Sequence, residues 1–384
     1  QGKDIPLQLE GEKSAGSPTR VLEFTQAEQE LKFVNVPCSP VPSLLRGFSA
    51  PVKIESGLSN EQLAFLLAND SDPFNRWDAG QQLSINILLQ LMGDIEKGRS
   101  LKLDPLFVDA MRKTLLSTQL DPALIAVTLG LPGEGYLIEL SPPANPDTVH
   151  RAREFVRSEL ARALYADFIN VYEANRSGDA YQFNAVDAGR RSLKNSCLSY
   201  LSMLADNEAI ERCMQQYRQA DNMTDALAAL APLNNIDCPE RGLVLQEFYD
   251  RWKGEALVIN KWFSLQASTS LPNAFEQVQE LMEHPDFDIR NPNRVRSLVG
   301  AFSRGNPLHF HAADGSGYRF LADQVLRLDP LNPQVASRMV GVFNNWRKFE
   351  KGRQGLMKQQ LERILATPDL SKDVHEIVSK ALAG

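Results

Sequence analysis

The sequence predicts a mainly α-helical protein: an irregular α-solenoid of antiparallel helix pairs, a superhelix of the HEAT or armadillo kind, preceded by a short partial β-sandwich. Two observations support this fold class. Apolar residues first occur in short strand-like runs, and after about residue 56 they recur at steps of three and four. Helix-start signals then repeat along the rest of the chain. We therefore expect two domains, residues 1–56 and residues 57–384.

The first 56 residues contain four short runs typical of β-strands, separated by Gly, Ser and Pro turns such as GEKSAGSP. The runs are DIPLQLE, RVLEFTQ, QELKFVNV and APVKIES. A free-standing sandwich of the immunoglobulin type has about seven strands, and four strands alone would leave open sheet edges. We expect this segment to be the C-terminal part of a small β-sandwich domain in a longer polypeptide.

From residue 57 onward the apolar residues follow the period of an α-helix. One stripe, at steps of three and four, is formed by Trp77, Gly80, Leu83, Ile87 and Leu91. Helix starts combine a capping Asp, Asn or Ser with proline, as in SDPFNRW, LDPALIA, NPNRVRS and NPQVASR. The side chain caps free N–H groups, and proline in the first turn loses no hydrogen bond. These signals predict about fourteen to sixteen helices, with loops at 131–147 and 271–275.

Composition and charge narrow the classes of function. Of the 384 residues, 43% are hydrophobic and 23% are charged, as in an ordinary globular protein. The net charge of −7 is mild and provides no concentrated basic face, so we predict no nucleic-acid partner. No apolar run approaches the roughly 20 residues of a membrane span, and no signal-peptide pattern is present. We therefore predict no membrane partner.

The cysteines indicate the redox compartment. Cys38, Cys197, Cys213 and Cys238 lie far apart and form no C-x-x-C pair. This spacing gives neither a disulfide framework nor a thiolate zinc site, and it favours a cytoplasmic protein.

A zinc-dependent hydrolase requires a set of residues that bind the metal. The stretch of this sequence most similar to such a motif is HEIVS at 375–379. In H-E-x-x-H the two imidazoles lie one helical turn apart, and the glutamate acts as general base. Here Ser379 takes the place of the second histidine, and a hydroxyl is a poor zinc ligand. A solvated helix end is the interpretation we favour.

The stretch HFHAADGSGYRF, residues 309–320, suggests three interpretations: a metal site, a phosphate-binding loop, or a connection between helices. His309 and His311 could chelate a metal only with a third donor from elsewhere. The acidic pattern of a calcium loop is absent, and no strand precedes the stretch, as a phosphate cradle requires. We favour a turn in which Asp314 makes an Asx-turn with the following glycines. A surface that meets a ligand or another domain is the second interpretation.

Nucleophilic catalysis finds little support in the sequence. There is no G-x-S-x-G elbow, and no cysteine has a histidine beside it. A Ser-His-Asp set assembled in space remains open, because its order along the chain varies between folds.

Six long motifs occur in order along the chain. They are VPSLLRGFSAPVKIE, RWDAGQQL, DNMTDALAAL, LVINKWFSLQA, NPNRVRSLVGAFSRGNPLHFHAADGSGYRFLAD and NPQVASRMV. With these motifs the sequence resembles bacterial aminopeptidase N, the alanyl aminopeptidase family of zinc metallopeptidases. The resemblance runs from the first residue to the last. It implies the C-terminal part of that enzyme: the end of its β-sandwich and its large helical domain.

The resemblance also implies what this chain lacks. The family's activity rests on an upstream domain with H-E-x-x-H, a downstream glutamate ligand, a G-A-M-E-N segment for the substrate's amine, and a tyrosine for the oxyanion. These motifs do not occur in the sequence. We therefore expect no catalytic residue, metal ligand or cofactor here, and zinc in the parent enzyme. The implied partners are the upstream catalytic domain of the same polypeptide and peptide substrates.

Three side chains are candidates for the wall of a substrate channel. Gln334 and Arg338 lie four apart on the helix opened by NPQVASR, so they share a face. Arg296 belongs to the helix opened by NPNRVRS. The family resemblance directs these positions toward the active-site cavity, where an arginine could bind a peptide's carboxylate with two hydrogen bonds. A buried ion pair or an inter-helix hydrogen bond is the alternative. The stretch 309–320 lies between these helices in sequence and could shape the same wall.

These implications predict the C-terminal cap and substrate-channel region of a zinc-dependent aminopeptidase, which removes N-terminal amino acids from peptides. The chain alone is expected to be inactive. The alternative is a stand-alone α-solenoid that binds protein or peptide partners on its concave face.

Overall fold

A computed structural model describes residues 2–178 and 180–384, and it is mainly helical, which confirms the predicted fold class. The α-helices of the described residues are α1 (Asn60–Asn69), α2 (Pro73–Glu96), α3 (Pro105–Leu115), α4 (Pro122–Thr128), α5 (Glu134–Leu140), α6 (Pro146–Ala163), α7 (Tyr165–Ala174), α8 (Ala185–Leu201), α9 (Asn207–Gln219), α10 (Met223–Leu233), α11 (Pro239–Trp252), α12 (Ala256–Ala267), α13 (Ala274–Met282), α14 (Pro292–Val295), α15 (Ala301–Gly305), α16 (Pro307–Phe310), α17 (Ser316–Leu328), α18 (Pro333–Val340), α19 (Lys351–Leu365) and α20 (Lys372–Ala383). Short 3₁₀ helices span Arg46–Phe48, Ser202–Leu204 and Gly341–Lys348, and a π-helical turn spans Arg296–Gly300.

The helix starts follow the capping signals in the sequence. Asp72 Oδ1 accepts hydrogen bonds from the N–H groups of Phe74 and Asn75, both at 3.0 Å, ahead of α2. Asp121 and Asn332 cap α4 and α18 in the same manner. In the predicted stripe of α2, Gly80, Leu83, Ile87 and Leu91 are buried, and Trp77 is half-buried. Capping and periodicity therefore act together to place these helices.

Helices that are adjacent in sequence pack against each other along the chain. Such pairs include α1 with α2, α7 with α8, α9 with α10, α17 with α18, and α19 with α20. One buried apolar core runs through the helices from Leu63 to Ala381. No helix among the described residues is both long and apolar enough to cross a membrane. The layered arrangement is that of a solenoid.

The segment before α1 differs from the prediction. Within residues 2–57 the described backbone forms one antiparallel bridge, between Leu9 and Phe33, and no regular strand. Hydrogen bonds flank the bridge, from the Val34 N–H to the Gln8 carbonyl oxygen and from the Glu10 N–H to the Lys32 carbonyl oxygen, each at 2.9 Å. A strand needs a neighbour to pair its N–H and C=O groups. Four short runs with few neighbours therefore do not build a sheet.

The predicted loop at 131–147 is wrong in part, because it contains α5. Leu137 and Ile138 of this helix are buried, so packing stabilises a helix in a segment flanked by prolines and glycines. The helix count also exceeds the predicted range. One reason is that the path from residue 292 to residue 310 is divided into α14, the π turn, α15 and α16.

The start of α6 lies against the start of α19, an arrangement that we call the α6–α19 contact. A parallel bridge joins Ala144 to Phe349. The Ala144 N–H donates to the Lys348 carbonyl oxygen at 2.7 Å, and the Glu350 N–H donates to the Ala144 carbonyl oxygen at 3.2 Å. α16 also packs on α6. This contact brings the stretch 309–320 beside the first turn of α6.

Candidate functional site

Residues 292–305 form a helical path that we call the 292–305 segment: α14, the π turn and α15. Asn291 Oδ1 caps its first turn by accepting from the Asn293 N–H at 3.0 Å. At the π turn, Ser264 Oγ of α12 donates to the Ser297 carbonyl oxygen at 2.9 Å. π turns insert a residue into an α-helix and occur often at functional sites.

Arg296 lies at the start of the π turn with its side chain exposed. Its Nη1 donates to Asn293 Oδ1 at 3.1 Å, three residues earlier on the same side. The amide thus orients the guanidinium group, whose other N–H donors make no hydrogen bond within the described part of the chain.

Gln334 and Arg338 are both exposed on α18, whose opposite side is buried through Val335 and Met339. The shared face follows from their spacing of four residues. Neither side chain makes a hydrogen bond or ion pair to any other described residue. Exposure of all three candidates does not fit the alternative of a buried ion pair.

α18 approaches the 292–305 segment at two points. A Cβ placed at Gly300 would lie 3.6 Å from Met339 Cε, an ordinary van der Waals distance. Arg304 Nη2 donates to the Arg338 carbonyl oxygen at 2.5 Å. Sequence reasoning missed Arg304; the only signal was an arginine eight residues after Arg296. Arg304 is therefore bonded to the backbone of Arg338, and the side chains of Arg296, Arg304 and Arg338 are all exposed.

The stretch 309–320 is built around a buried histidine. His311 Nδ1 is 2.8 Å from Tyr318 Oη, and the His311 ring centroid lies 4.4 Å from that of Phe349. Burial, with the charge of Arg353 as a smaller cause, lowers the pKa of His311 to about 3. The imidazole is therefore neutral at ordinary pH.

The same stretch is anchored by Arg353 at the α6–α19 contact. Arg353 Nε donates to the His311 carbonyl oxygen at 2.5 Å, and Nη2 bonds Asp147 Oδ2 at 2.6 Å. The Asx-turn appears as a 2.9 Å bond from the Ser316 N–H to Asp314 Oδ1. A Cβ at Gly317 would lie 2.2 Å from the Phe310 carbonyl oxygen, so no larger residue fits without moving backbone. The stretch is thus a packed connection between helices.

His309 does not join His311 in a chelating set. It lies in α16, half-buried, and burial lowers its pKa. On α20, Ser379 Oγ and His375 Nδ1 are 3.4 Å apart, and no second imidazole stands there. Across residues 2–178 and 180–384, no group of three or more His, Cys, Asp or Glu side chains could hold a metal ion. The donors present therefore do not fit a zinc site.

Comparison with known proteins identifies the family. The profile of a domain of unknown function described as ARM repeats, DUF3458_C, matches residues 60–383. This chain belongs to that family. A second profile, the Ig-like fold DUF3458, matches residues 1–57.

Relatives of this DUF3458_C protein carry the name aminopeptidase N. The Escherichia coli K12 protein is 40% identical over 384 residues, which is all of this chain and 43% of that protein. The Haemophilus influenzae protein is 38% identical over 362 residues, 94% of this chain and 41% of its own length. The chain thus spans about two fifths of these relatives and is similar to their C-terminal region, which confirms the resemblance found in the sequence.

A solved aminopeptidase structure also resembles this chain over part of its length. The crystal structure of Legionella pneumophila aminopeptidase A in complex with aspartic acid is 33% identical in sequence, with a TM-score of 0.81. The match covers 92% of this DUF3458_C chain and 43% of that one. The helical architecture is therefore shared with the larger chain.

Proposed function

We propose that this chain is the C-terminal cap and substrate-channel region of a zinc-dependent aminopeptidase that removes N-terminal amino acids from peptides. The observation that carries the proposal is the 40% identity to aminopeptidase N over all 384 residues. In this proposal zinc and the hydrolytic residues belong to an upstream catalytic domain of the same polypeptide. Peptides are the substrates, and the cytoplasm is the compartment, which the four free cysteines support.

The proposal assigns a role to each of two domains. Residues 1–56 complete a small β-sandwich with preceding strands, and the match of residues 1–57 to an Ig-like fold supports this role. Burial of the exposed Val21, Phe24 and Val52 against those strands would stabilise the sandwich. Residues 57–384 form the helical cap. A cap excludes bulk water and limits which peptides reach the reacting centre.

In the channel, Arg296, Gln334 and Arg338 would line the wall. Their exposure and their lack of ion pairs to other described residues support this assignment, because a guanidinium group without a carboxylate partner in the protein can bind a substrate carboxylate bidentately. Gln334 offers an amide that can both donate and accept hydrogen bonds. These groups bind and orient a peptide, and they take no part in bond breaking.

One comparison of two purified proteins tests the function. The longer polypeptide that includes the upstream domain should hydrolyse an aminoacyl-arylamide and carry stoichiometric zinc by mass spectrometry. The 384-residue chain alone should do neither, because the donors of its described residues form no zinc site. Turnover by the isolated chain that a chelator abolishes would contradict the proposal. Tight peptide binding by the isolated chain, combined with an inactive longer polypeptide, would favour the stand-alone binding solenoid.

A further inference from the structure

Residues 43–48 form a turn whose backbone is strained, and we call them the 43–48 turn. Leu45 and Phe48 have positive φ angles of 57° and 55°, and Gly47 between them has a φ of 62°. The left-handed region is unfavourable for leucine and phenylalanine, so contacts elsewhere must offset the free energy of this conformation. The turn lies in the motif VPSLLRGFSAPVKIE, to which the proposed function gives no role.

Arg46 joins the 43–48 turn to the connection between α1 and α2. Its Nη2 donates to Asp70 Oδ1 at 2.8 Å, and the two side chains are 14% and 1% exposed, so this ion pair is shielded from water. Its Nη1 donates to Thr19 Oγ1 at 2.6 Å and lies 3.7 Å from Asp4 Oδ2. One guanidinium group therefore bonds both the segment before α1 and the first pair of helices.

The first turn of α2 adds contacts to the same place. Asn75 Nδ2 donates to Ser43 Oγ at 2.9 Å and to the Leu44 carbonyl oxygen at 2.6 Å. The ring centroids of Phe48 and Phe74 lie 4.5 Å apart, within the range of aromatic pairs. We call these contacts, together with the bond from Arg46 to Asp70, the Arg46 clasp.

The covalent connection between the two parts is less constrained than the clasp. Residues 52–57 lead from the 43–48 turn toward α1, and their backbone makes no hydrogen bond to another described residue. Gly57 has a φ of 64°, and a Cβ placed there would meet nothing within 4 Å. A segment with few hydrogen bonds and little packing opens easily, so this linker by itself permits many orientations.

We propose that the Arg46 clasp is a conformational lock: it fixes the orientation of residues 2–57 on the helices, and residues 52–57 become a hinge when it opens. Arg46 is the positioning residue of the lock. Strain in the 43–48 turn favours opening, and the shielded ion pair opposes it. While the clasp is closed, the helices change position only together with residues 2–57. This role concerns the relative position of two parts of the chain, so it goes beyond the proposed function.

The test measures distances between pairs of spin labels on the full 384-residue chain. Cys38 is exposed and takes one label, and Lys113→Cys, at an exposed position of α3, takes the other. Cys238→Ser removes the half-buried thiol, and Cys197 and Cys213 are buried. Double electron–electron resonance should give one narrow distance distribution for this labelled chain, because the clasp is closed.

Arg46→Ala should broaden this distribution by on the order of 10 Å, the reach of a flexible linker as long as residues 52–57. A second label pair, Cys38 with Lys13→Cys, lies within residues 2–57 and should keep its distribution. Far-UV circular dichroism should not change, because within the described chain Arg46 bonds no residue inside a helix.

Matched variants separate the lock from general loosening. Arg20→Ala removes an arginine whose ion pair with Glu12 stays within residues 2–57, and it should leave both distributions unchanged. Asn75→Ala removes clasp bonds from the helical side and should broaden the Cys38–Lys113→Cys distribution. If Arg46→Ala fails to fold, Asn75→Ala decides by the same criterion.

Three results would overturn the inference. The first is a distribution in Arg46→Ala as narrow as that of the labelled chain, and the second is a broad distribution before any clasp residue is changed. The third is equal broadening of the Cys38–Lys13→Cys pair, because residues 2–57 would then have loosened internally and not about a hinge.

Discussion

His311 is enclosed by aromatic rings, with the centroids of Phe310, Tyr318 and Phe349 at 4.9, 5.5 and 4.4 Å. The hydrogen bond to Tyr318 Oη satisfies one ring nitrogen. The histidine therefore contributes to stability only while it is neutral, since a buried imidazolium beside the positive Arg353 would be unfavourable. At the residue scale, a histidine that resembled a metal ligand in the sequence is a packing residue.

This arrangement predicts acid sensitivity. The pKa of His311 falls from 6.5 to about 3 on folding, so the unfolded chain binds the proton first as the pH drops. The contribution is fully present above pH 6.5 and is lost on acidification, by up to about 1.4 kcal/mol per pH unit. Between pH 7 and about 4.5, the free energy of unfolding of His311→Gln should fall by less than that of the unsubstituted chain, as measured by urea denaturation. His375→Gln, at an exposed histidine, is the matched control. Parallel pH profiles for His311→Gln and the parent would contradict the prediction.

At the element scale, helices α7 to α10 are joined by a buried polar network. Asp225 accepts hydrogen bonds from Lys194 Nζ at 2.7 Å and Asn195 Nδ2 at 2.9 Å. Gln216 Nε2 donates to Asn195 Oδ1 at 2.9 Å, and Tyr172 Oη donates to Gln216 Oε1 at 3.1 Å. A satisfied network of this kind specifies how four helices fit together, because any other register would leave a polar group unpaired.

Removing one partner from this network should be costly. Asp225→Ala leaves the Lys194 ammonium, whose side chain is 11% exposed, without its carboxylate, and we expect a loss of about 3–5 kcal/mol in the free energy of unfolding. The double variant Lys194→Met, Asp225→Leu should lose less, because no charge remains buried. Urea denaturation of Asp225→Ala and of the double variant measures the difference in the free energy of unfolding. A double variant less stable than Asp225→Ala would refute the expectation.

At the scale of the whole molecule, the α6–α19 contact joins parts of the chain 206 residues apart. Arg353 is its centre: its side chain is 5% exposed and bonds both Asp147 and the backbone of the stretch 309–320. A solenoid normally contacts only its neighbouring layers. Here the superhelix also touches itself, so the early and late helices stabilise each other.

Arg353→Ala should therefore weaken both ends of the contact together. We expect a loss of about 2–4 kcal/mol in unfolding free energy, because three charge-assisted hydrogen bonds, to His311, Asp147 and Glu350, are removed from a buried site. Amide hydrogen exchange should increase in α6 and in α19 alike. Arg363→Ala, on the exposed side of the same helix, loses a surface ion pair with Asp323 and should cost at most about 1 kcal/mol. Faster exchange confined to α19 would contradict the coupling.

The sequence by itself determined the features that depend on interactions within about four residues. Capping residues and prolines gave the starts of α2, α4, α14 and α18, and the apolar period gave the buried face of α2. The shared face of Gln334 and Arg338 follows from the helical repeat alone. The mainly helical class was therefore predictable from the sequence.

The tertiary structure decided what depends on distant packing. Helix α5 forms because the core covers Leu137 and Ile138. The described strand-like runs before residue 57 form one bridge and no regular strand, because they have few neighbours to pair with. The bond from Arg304 to Arg338 joins residues 34 apart, and the α6–α19 contact joins residues 206 apart. Rules that act within about four residues cannot predict such contacts, because they depend on how side chains from separate helices pack together.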